Sequence, residues 1–301
     1  MTPPAMSSAQ LTDVFPVLVA ITADPAAEAA VRITHVLAEK CGAIPTVLRV
    51  VHDHGDIGID TLDGMPGAPE TALSPEYQDA QLAALEAQVQ AILGFMPRWQ
   101  CEVDTGTTVS TIVHRAQQLC AELVILGFPH HNFLRRALVR DTVRGVVEHT
   151  CAAVLAIRPT LTRRPSCVMV AVDLSPASLR AAHLACQLVA PGGRVILVYV
   201  HPDVSRNGGR TAATEVPPGR SVDAALMSLI DDLSSKKTIT VTSVIEHGSS
   251  IEGVKAAALR MQPDLVALGS GRHSAVDWFF GDSVSTAMIS ERQWSLLVVP
   301  G

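Results

Sequence analysis

The chain is poor in aromatic residues, with two Tyr, three Trp and six Phe in 301 positions. Since 48% of residues are nonetheless hydrophobic, the core has to be built from Ala, Val, Leu and Ile, the composition of strands buried on both faces beneath helices. Positive charge is also scarce: 23 Lys and Arg stand against 29 Asp and Glu, a net charge of -6. A general nucleic-acid binder needs a basic face to displace counterions from phosphates, so no nucleic-acid partner is expected. No apolar run approaches the ~18 residues of a spanning helix, so no membrane segment is expected either. Residues 1–13 contain no Lys or Arg and no apolar stretch, which reads as a flexible N-terminal tail rather than a secretory leader. The six cysteines (Cys41, Cys101, Cys120, Cys151, Cys167, Cys186) include no CxxC pair, and most lie in apolar runs where Cys acts as a small hydrophobe. A reducing, cytoplasmic setting is the expectation.

What the chain does have is repetition. The run Ala121-Glu122-Leu123-Val124-Ile125-Leu126-Gly127 returns as Pro263-Asp264-Leu265-Val266-Ala267-Leu268-Gly269, and Val17-Leu18-Val19-Ala20-Ile21 returns as Val168-Met169-Val170-Ala171-Val172. Matches this far apart within each copy mean that whole domains are duplicated, not a local motif. The length also fits about two domains. The expected division is a tail over 1–13, a first domain over 14–159, a linker over 160–165 and a second domain over 166–301.

In the first half, strands are predicted at Val14–Ile21, Pro45–Val51, Arg98–Asp104, Glu122–Gly127 and Ala152–Arg158. Helices are predicted at Ala26–Cys41, Pro75–Leu93, Val109–Cys120 and Val139–His149, with Asp24-Pro25 capping the first. Residues 53–74, rich in Gly, Pro and Asp, read as a long loop. The second half repeats the order, with strands near Cys167–Asp173, Arg194–Val200, Ile239–Glu246, Asp264–Gly269 and Ser295–Val299. Alternating strands and helices joined by right-handed crossovers define an α/β fold: two tandem doubly wound domains, each a parallel sheet with helices on both faces. Ligands of such folds gather outside the carboxyl ends of the strands, where strand order reverses.

Two segments of the second half sit there. Val172-Asp173-Leu174-Ser175-Pro176 places a carboxylate at the tip of the first strand, able to accept from an adenine amino group or a ribose hydroxyl. The alternative is that Asp173 or Ser175 only caps the following helix, as Ser before Pro commonly does. After the fourth strand come Gly269-Ser270-Gly271-Arg272 and then Gly281-Asp282-Ser283-Val284-Ser285 at the start of the last helix. Glycines let backbone amides approach an anion, and a helix N-terminus with Ser hydroxyls suits phosphate. An ordinary loop and cap is the alternative, because a few glycines are a weak signal.

The aspartate after the first strand, the run DLVALGSG, the helix start GDSVS and the closing strand SLLVVP together resemble the universal stress proteins. The resemblance spans both halves. It implies five parallel strands in the order 3-2-1-4-5 in each domain and, in the second, an ATP site. Asp173 would hold the adenosine end, with Val172 and Ser175 beside it, and Val200 would present its backbone to adenine. Gly269, Ser270, Gly271, Arg272, Gly281, Ser283, Val284 and Ser285 would surround the phosphates. The sequence departs from the family pattern where Arg272 and Asp282 occupy glycine positions, Gly271 and Gly281 each lying one residue early. A carboxylate at 282 would repel a triphosphate by about a kcal/mol or more at short range.

The first half has lost the pattern. Thr22 stands in the place of the aspartate, Gly127 is followed by Phe128-Pro129-His130, and Arg140-Asp141 replaces Gly and Ser. A proline removes a donor from a loop whose use would be to donate. His130, His131, Arg135, Arg136, Arg140 and Arg144 form either a site for another anion or partner, or a solvated face. His52, Asp53, His54 and Asp56 offer two imidazoles at alternate positions but no third ligand fixed by spacing, so no metal is expected. No nucleophile, base and orienting group assemble from these segments. The expectation is a non-catalytic regulatory protein of the stress response that holds ATP or a related nucleotide in its second half. The alternatives are a scaffold acting through loops 53–74 and 201–219, or an enzyme acting on adenine nucleotides. By analogy the last strands, Val154–Arg158 and Ser295–Val299, pair within one chain as a built-in dimer, to which a second chain or another protein partner could add.

Overall fold

The structure, a computed structural model, describes residues 15–22, 27–51, 75–128, 135–201, 221–234, 238–270 and 284–301, with the backbone alone for 135–141. The first half runs β1 (Phe15–Ala20), α1 (Ala27–Cys41), β2 (Ala43–Val51), α2 (Pro75–Leu93), β3 (Gln100–Thr105), α3 (Thr108–Gln118), β4 (Leu123–Gly127), α4 (Arg135–His149), β5 (Ala153–Ile157). The second runs β6 (Cys167–Ala171), α5 (Pro176–Leu188), β7 (Arg194–His201), α6 (Val222–Ser234), β8 (Thr240–His247), α7 (Ser250–Met261), β9 (Leu265–Ser270), α8 (Val284–Glu291), β10 (Ser295–Pro300).

These strands form one ten-stranded sheet in the order β3-β2-β1-β4-β5-β10-β9-β6-β7-β8. Each half has the order 3-2-1-4-5 with parallel neighbours. The halves join where β5 and β10 run antiparallel, with Val154 opposite Val298, Leu155 opposite Leu297 and Ala156 opposite Leu296. The last strand of each half is therefore internal to the sheet. The Arg158 amide adds a bond to Ser295 Oγ at 3.1 Å across this seam.

Both faces of the sheet are covered, and both covering layers run across the seam. One contains residues of α1, α2, α5 and α6, among them Leu37, Leu85, Ala181 and Leu226. The other contains residues of α3, α4, α7 and α8, among them Ile112, Val146, Ala257 and Met288. This explains the aliphatic composition: every residue of β10 is buried, with helices on both sides. The outer strands are different. On β3, Glu102 and Asp104 pair with Arg115 at 2.8 and 3.0 Å, and on β8 Glu246 pairs with Arg260. Charges on both edges oppose the addition of a further strand.

Helix α2 keeps its predicted bounds because its signals are local: Pro75 opens it, and Gly94 at φ +83 closes it. The Asp24-Pro25 cap predicted for α1 lies outside the described residues. Helix α4 starts at Arg135, earlier than predicted. Strand β6 stops at Ala171, two residues before Asp173, because the chain turns through Leu174 at φ +64. The linker is fastened rather than loose: Leu161 is buried, and Arg164 donates to the carbonyls of Gln187, Leu188 and Val189 at 2.6, 3.0 and 2.6 Å. A guanidinium is well placed on these carbonyls at the C-terminus of α5.

Asp264 fastens the start of β6 to the start of β9. Its Oδ2 accepts from the Ser166 amide and hydroxyl at 2.7 Å each and from the Cys167 amide at 3.0 Å. Partial burial pushes its carboxyl up, but the Ser166 hydroxyl, the two amides and Arg163 outweigh this and hold it below the ordinary value. A depressed folded value stabilises the protein above the unfolded pKa of about 3.9, and this stabilisation is lost as pH falls through the folded value. Asp264→Asn is expected to lower the urea midpoint at pH 7, with the gap from the parent closing below about pH 4. A gap of equal size at both pH values would contradict this linkage.

Candidate functional site

Three strand tips meet at the carboxyl end of the second half. The Val172 amide donates to Val198 O at 2.9 Å, which sets Asp173 beside the end of β7. On the other flank, Ala171 lies opposite Leu268, and Gly269, the next residue of β9, lies against Ala177 and Ser178 at the start of α5. Val172, Asp173, Ser175, Val200, Gly269 and Ser270 thus lie at one end of the sheet. By connectivity α8 runs against β9 and β10, which puts Val284 and Ser285, in its first turn, at the same end of the sheet. Ser285 is buried and Val284 half-buried. Gly271, Arg272, Gly281 and Ser283 lie outside the described residues, as does Asp282.

Asp173 is exposed and tightly held. Its Oδ1 accepts from the Ser175 amide at 2.9 Å, a short-range turn that Asp forms readily. Ser175 caps α5 by accepting from the Ser178 amide at 3.3 Å, and Ser178 Oγ accepts from the Asp173 amide at 3.3 Å. The capping alternative raised by the sequence is therefore present for Ser175. Partial burial raises the Asp173 carboxyl, but the Ser175 and Ser178 hydroxyls and the Ser175 amide together hold it below the ordinary value. It stays ionised at neutral pH, and an ionised carboxylate is an acceptor only, suited to ribose hydroxyls or an exocyclic amine. The next residue, Leu174, is in the αL conformation at φ +64, uncommon for a non-glycine residue, where the chain turns from β6 towards α5. Sequence reasoning missed Ser178, whose position three residues past the cap was its only signal.

Gly269 has a packing role that its place in the loop pattern does not reveal. A Cβ there would lie 2.4 Å from the Ser178 amide nitrogen and 2.7 Å from the Ala177 carbonyl carbon. Only glycine lets the N-terminus of α5 close onto β9. Val200 turns its side chain onto α7, where a Cβ on Gly253 would meet it at 2.8 Å. Its neighbours Tyr199 and His201 stand edge to face, with ring centroids 6.4 Å apart.

The same end of the first half is built from other groups. Thr22 follows β1 in the place of Asp173, and the Ile21 amide repeats the Val172 bond by donating to Leu48 O at 3.0 Å. The Thr22 carbonyl accepts from Gln88 Nε2 at 3.0 Å, and Gln88 Oε1 accepts from Arg49 Nη2. Strand register places Arg49 where the second half has Tyr199. Phe128, the counterpart of Ser270, is buried against the second core layer. Arg144 pairs with Glu148 one turn along at 2.7 Å, which is the solvated-face reading for that residue. His52, Asp53, His54, Asp56, Pro129, His130 and His131 lie outside the described residues, as do the side chains of Arg135, Arg136, Arg140 and Asp141. Among the described residues no group of three or more His, Cys, Asp or Glu is placed to hold a metal, and no helix is long and apolar enough to cross a membrane.

A duplicated, doubly wound α/β protein is the class that this architecture defines. The sequence model of the Universal stress protein family matches it twice, over residues 15–158 and 167–300, and the chain belongs to that family. Its fold is similar to that of a universal stress protein from Archaeoglobus fulgidus DSM 4304, at 17% identity and TM-score 0.63, covering 95% of this chain and 98% of that one. A putative universal stress protein from Pseudomonas aeruginosa UCBPP-PA14 is similar at 13% identity and TM-score 0.58, covering 95% and 93%. A shorter universal stress protein, solved in complex with cAMP, matches 46% of this chain and 98% of its own at 19% identity and TM-score 0.36. No curated protein matches the chain.

Proposed function

We propose that this is a non-catalytic regulatory protein of the stress response, acting in the cytoplasm, whose second half holds an adenine nucleotide, ATP or a close relative. The reading treats 14–159 and 166–301 as two functional units joined by 160–165, of which only the second is a nucleotide site. The observation that carries it is the contrast between matched strand tips. Asp173 presents an ionised acceptor to the ligand side of the second half, whereas Thr22 has its carbonyl occupied by Gln88 and a buried guanidinium behind it. In this reading Asp173 and the Val172 and Val200 backbone take the adenosine end, with Ser175 and Ser178 holding the carboxylate in place. The Gly269–Arg272 and Gly281–Ser285 segments take the phosphates.

An ATP titration of the full chain tests this. Hydrogen bonds to a charged group contribute about 1.5–3 kcal/mol, so Asp173→Ala is expected to raise Kd at least about tenfold. Thr22→Ala is expected to leave it unchanged. Equal losses in the two variants would assign the site to the wrong half, and absence of binding at millimolar ATP by the folded protein would favour the scaffold alternative.

A further inference from the structure

Arg49 is a buried cation with no counter-charge paired to it among the described residues. It lies two residues before the carboxyl end of β2, with 7% of its surface exposed. Its Nη1 donates to the Gln81 carbonyl at 3.4 Å and its Nη2 to Gln88 Oε1, both on α2. These acceptors are neutral. Nε is buried and has no hydrogen-bond partner, and none of the ion pairs among the described residues includes Arg49. Burial lowers its affinity for the proton, the expected cost of a cation taken from water without a counter-charge.

Proteins rarely keep such a group without use, because an unpaired buried charge costs several kcal/mol and a hydrophobic residue of equal volume would avoid the cost. The position narrows the use. Gln88 links the guanidinium to the Thr22 carbonyl at the tip of β1, so the charge sits at the end of the sheet where ligands of this fold gather. At the matched positions the charge sits in a different place and has a different sign: Asp173 beside a neutral Tyr199 position in the second half, a neutral Thr22 beside the Arg49 position in the first.

We infer that the first half is an oxyanion site, in which Arg49 receives a carboxylate or phosphate group through its unpartnered Nε–H and the positive charge of its fork. The guanidinium geometry matches planar oxyanions, and Gln88 and Gln81 fix its plane in advance. The two halves of the duplication would then read different chemistry, the second a nucleoside and the first an acidic group. The inference rests on Arg49 and its neighbours and stands whether or not the second half binds nucleotide.

The test uses inorganic phosphate with the full chain, by calorimetric titration and by thermal unfolding. Phosphate at roughly ten times its Kd is expected to raise the unfolding temperature of the parent protein by about 3 °C. Arg49→Met is expected to remain folded, to unfold at or above the parent temperature in phosphate-free buffer, and to lose one phosphate site per chain. Arg49→Lys keeps the charge but not the fork, and should retain that site with an affinity several-fold weaker. Two results would overturn the inference. One is an unchanged phosphate response in Arg49→Met, which would mean an adventitious ion only or binding elsewhere. The other is a lower unfolding temperature for Arg49→Met in phosphate-free buffer with no phosphate site in the parent, which would make the residue a bolt between β2 and α2.

Discussion

Truncating Leu155 to alanine is expected to cost about 3 kcal/mol and to lower the stability of both halves together. Leu155 is buried to within 2% of its surface and lies directly opposite Leu297, which is fully buried, at the antiparallel seam. Both belong to a core layer that contains residues of β1, α1, α5 and β7 alike. The seam is therefore part of a continuous core, not an interface between two independent ones. Leu297→Ala should cost a similar amount, and the double variant should depart from additivity because the two side chains share a register position. Leu259→Ala, 52% exposed, should change stability by less than about 0.5 kcal/mol. Urea unfolding followed by fluorescence and circular dichroism checks this. Two separated transitions, with Leu155→Ala shifting only one, would show that the halves unfold independently.

Gly269→Ala is expected to be more damaging than its single added carbon suggests. The new methyl group would meet backbone atoms of Ala177 and Ser178 at 2.4–2.9 Å, and backbone in the first turn of a helix cannot rotate away as a side chain does. Overpacking costs typically 1–3 kcal/mol, and a clash with backbone belongs at the upper end or above it. The shift has to move α5 away from β9, and with it Ser175, Ser178 and the bonds that hold Asp173. Nucleotide binding should weaken along with stability. Gly192→Ala is the control: its φ is +77 but nothing lies within 4 Å of the added carbon, so only about 1 kcal/mol of backbone strain is expected. Equal losses at the two positions, measured by urea midpoint, would mean that α5 is free to shift and that Gly269 has no packing role.

How much of this was legible in the sequence follows from the range of the interactions. Strand existence came from apolar runs and from the duplication, strand order from the resemblance to the universal stress proteins, and α2 keeps its bounds because proline and glycine mark both ends. The failures are of longer range. Nothing in the residue type of Leu174 announces a left-handed conformation, so β6 was predicted to reach Asp173. Gly269 looks like a phosphate-loop glycine because the helix against which it packs lies some ninety positions earlier, and no local pattern records that contact. Arg49 sits inside the apolar run Val47-Leu48-Arg49-Val50-Val51 and reads as an ordinary strand residue. Its partners are 32 and 39 positions away on α2, and only the fold brings them together. The divergence of the two halves was legible as an exchange of Asp for Thr. Its physical content, a carboxylate at one tip and a buried guanidinium at the other, was not.

That divergence makes the stoichiometry of nucleotide binding the most direct measure of the account. Equilibrium dialysis of the full-length chain against labelled ATP, at concentrations well above Kd, should give one nucleotide per chain, and Asp173→Ala should reduce that number toward zero at the same concentrations. Two nucleotides per chain, or one that persists in Asp173→Ala, would contradict the assignment of the site to the second half.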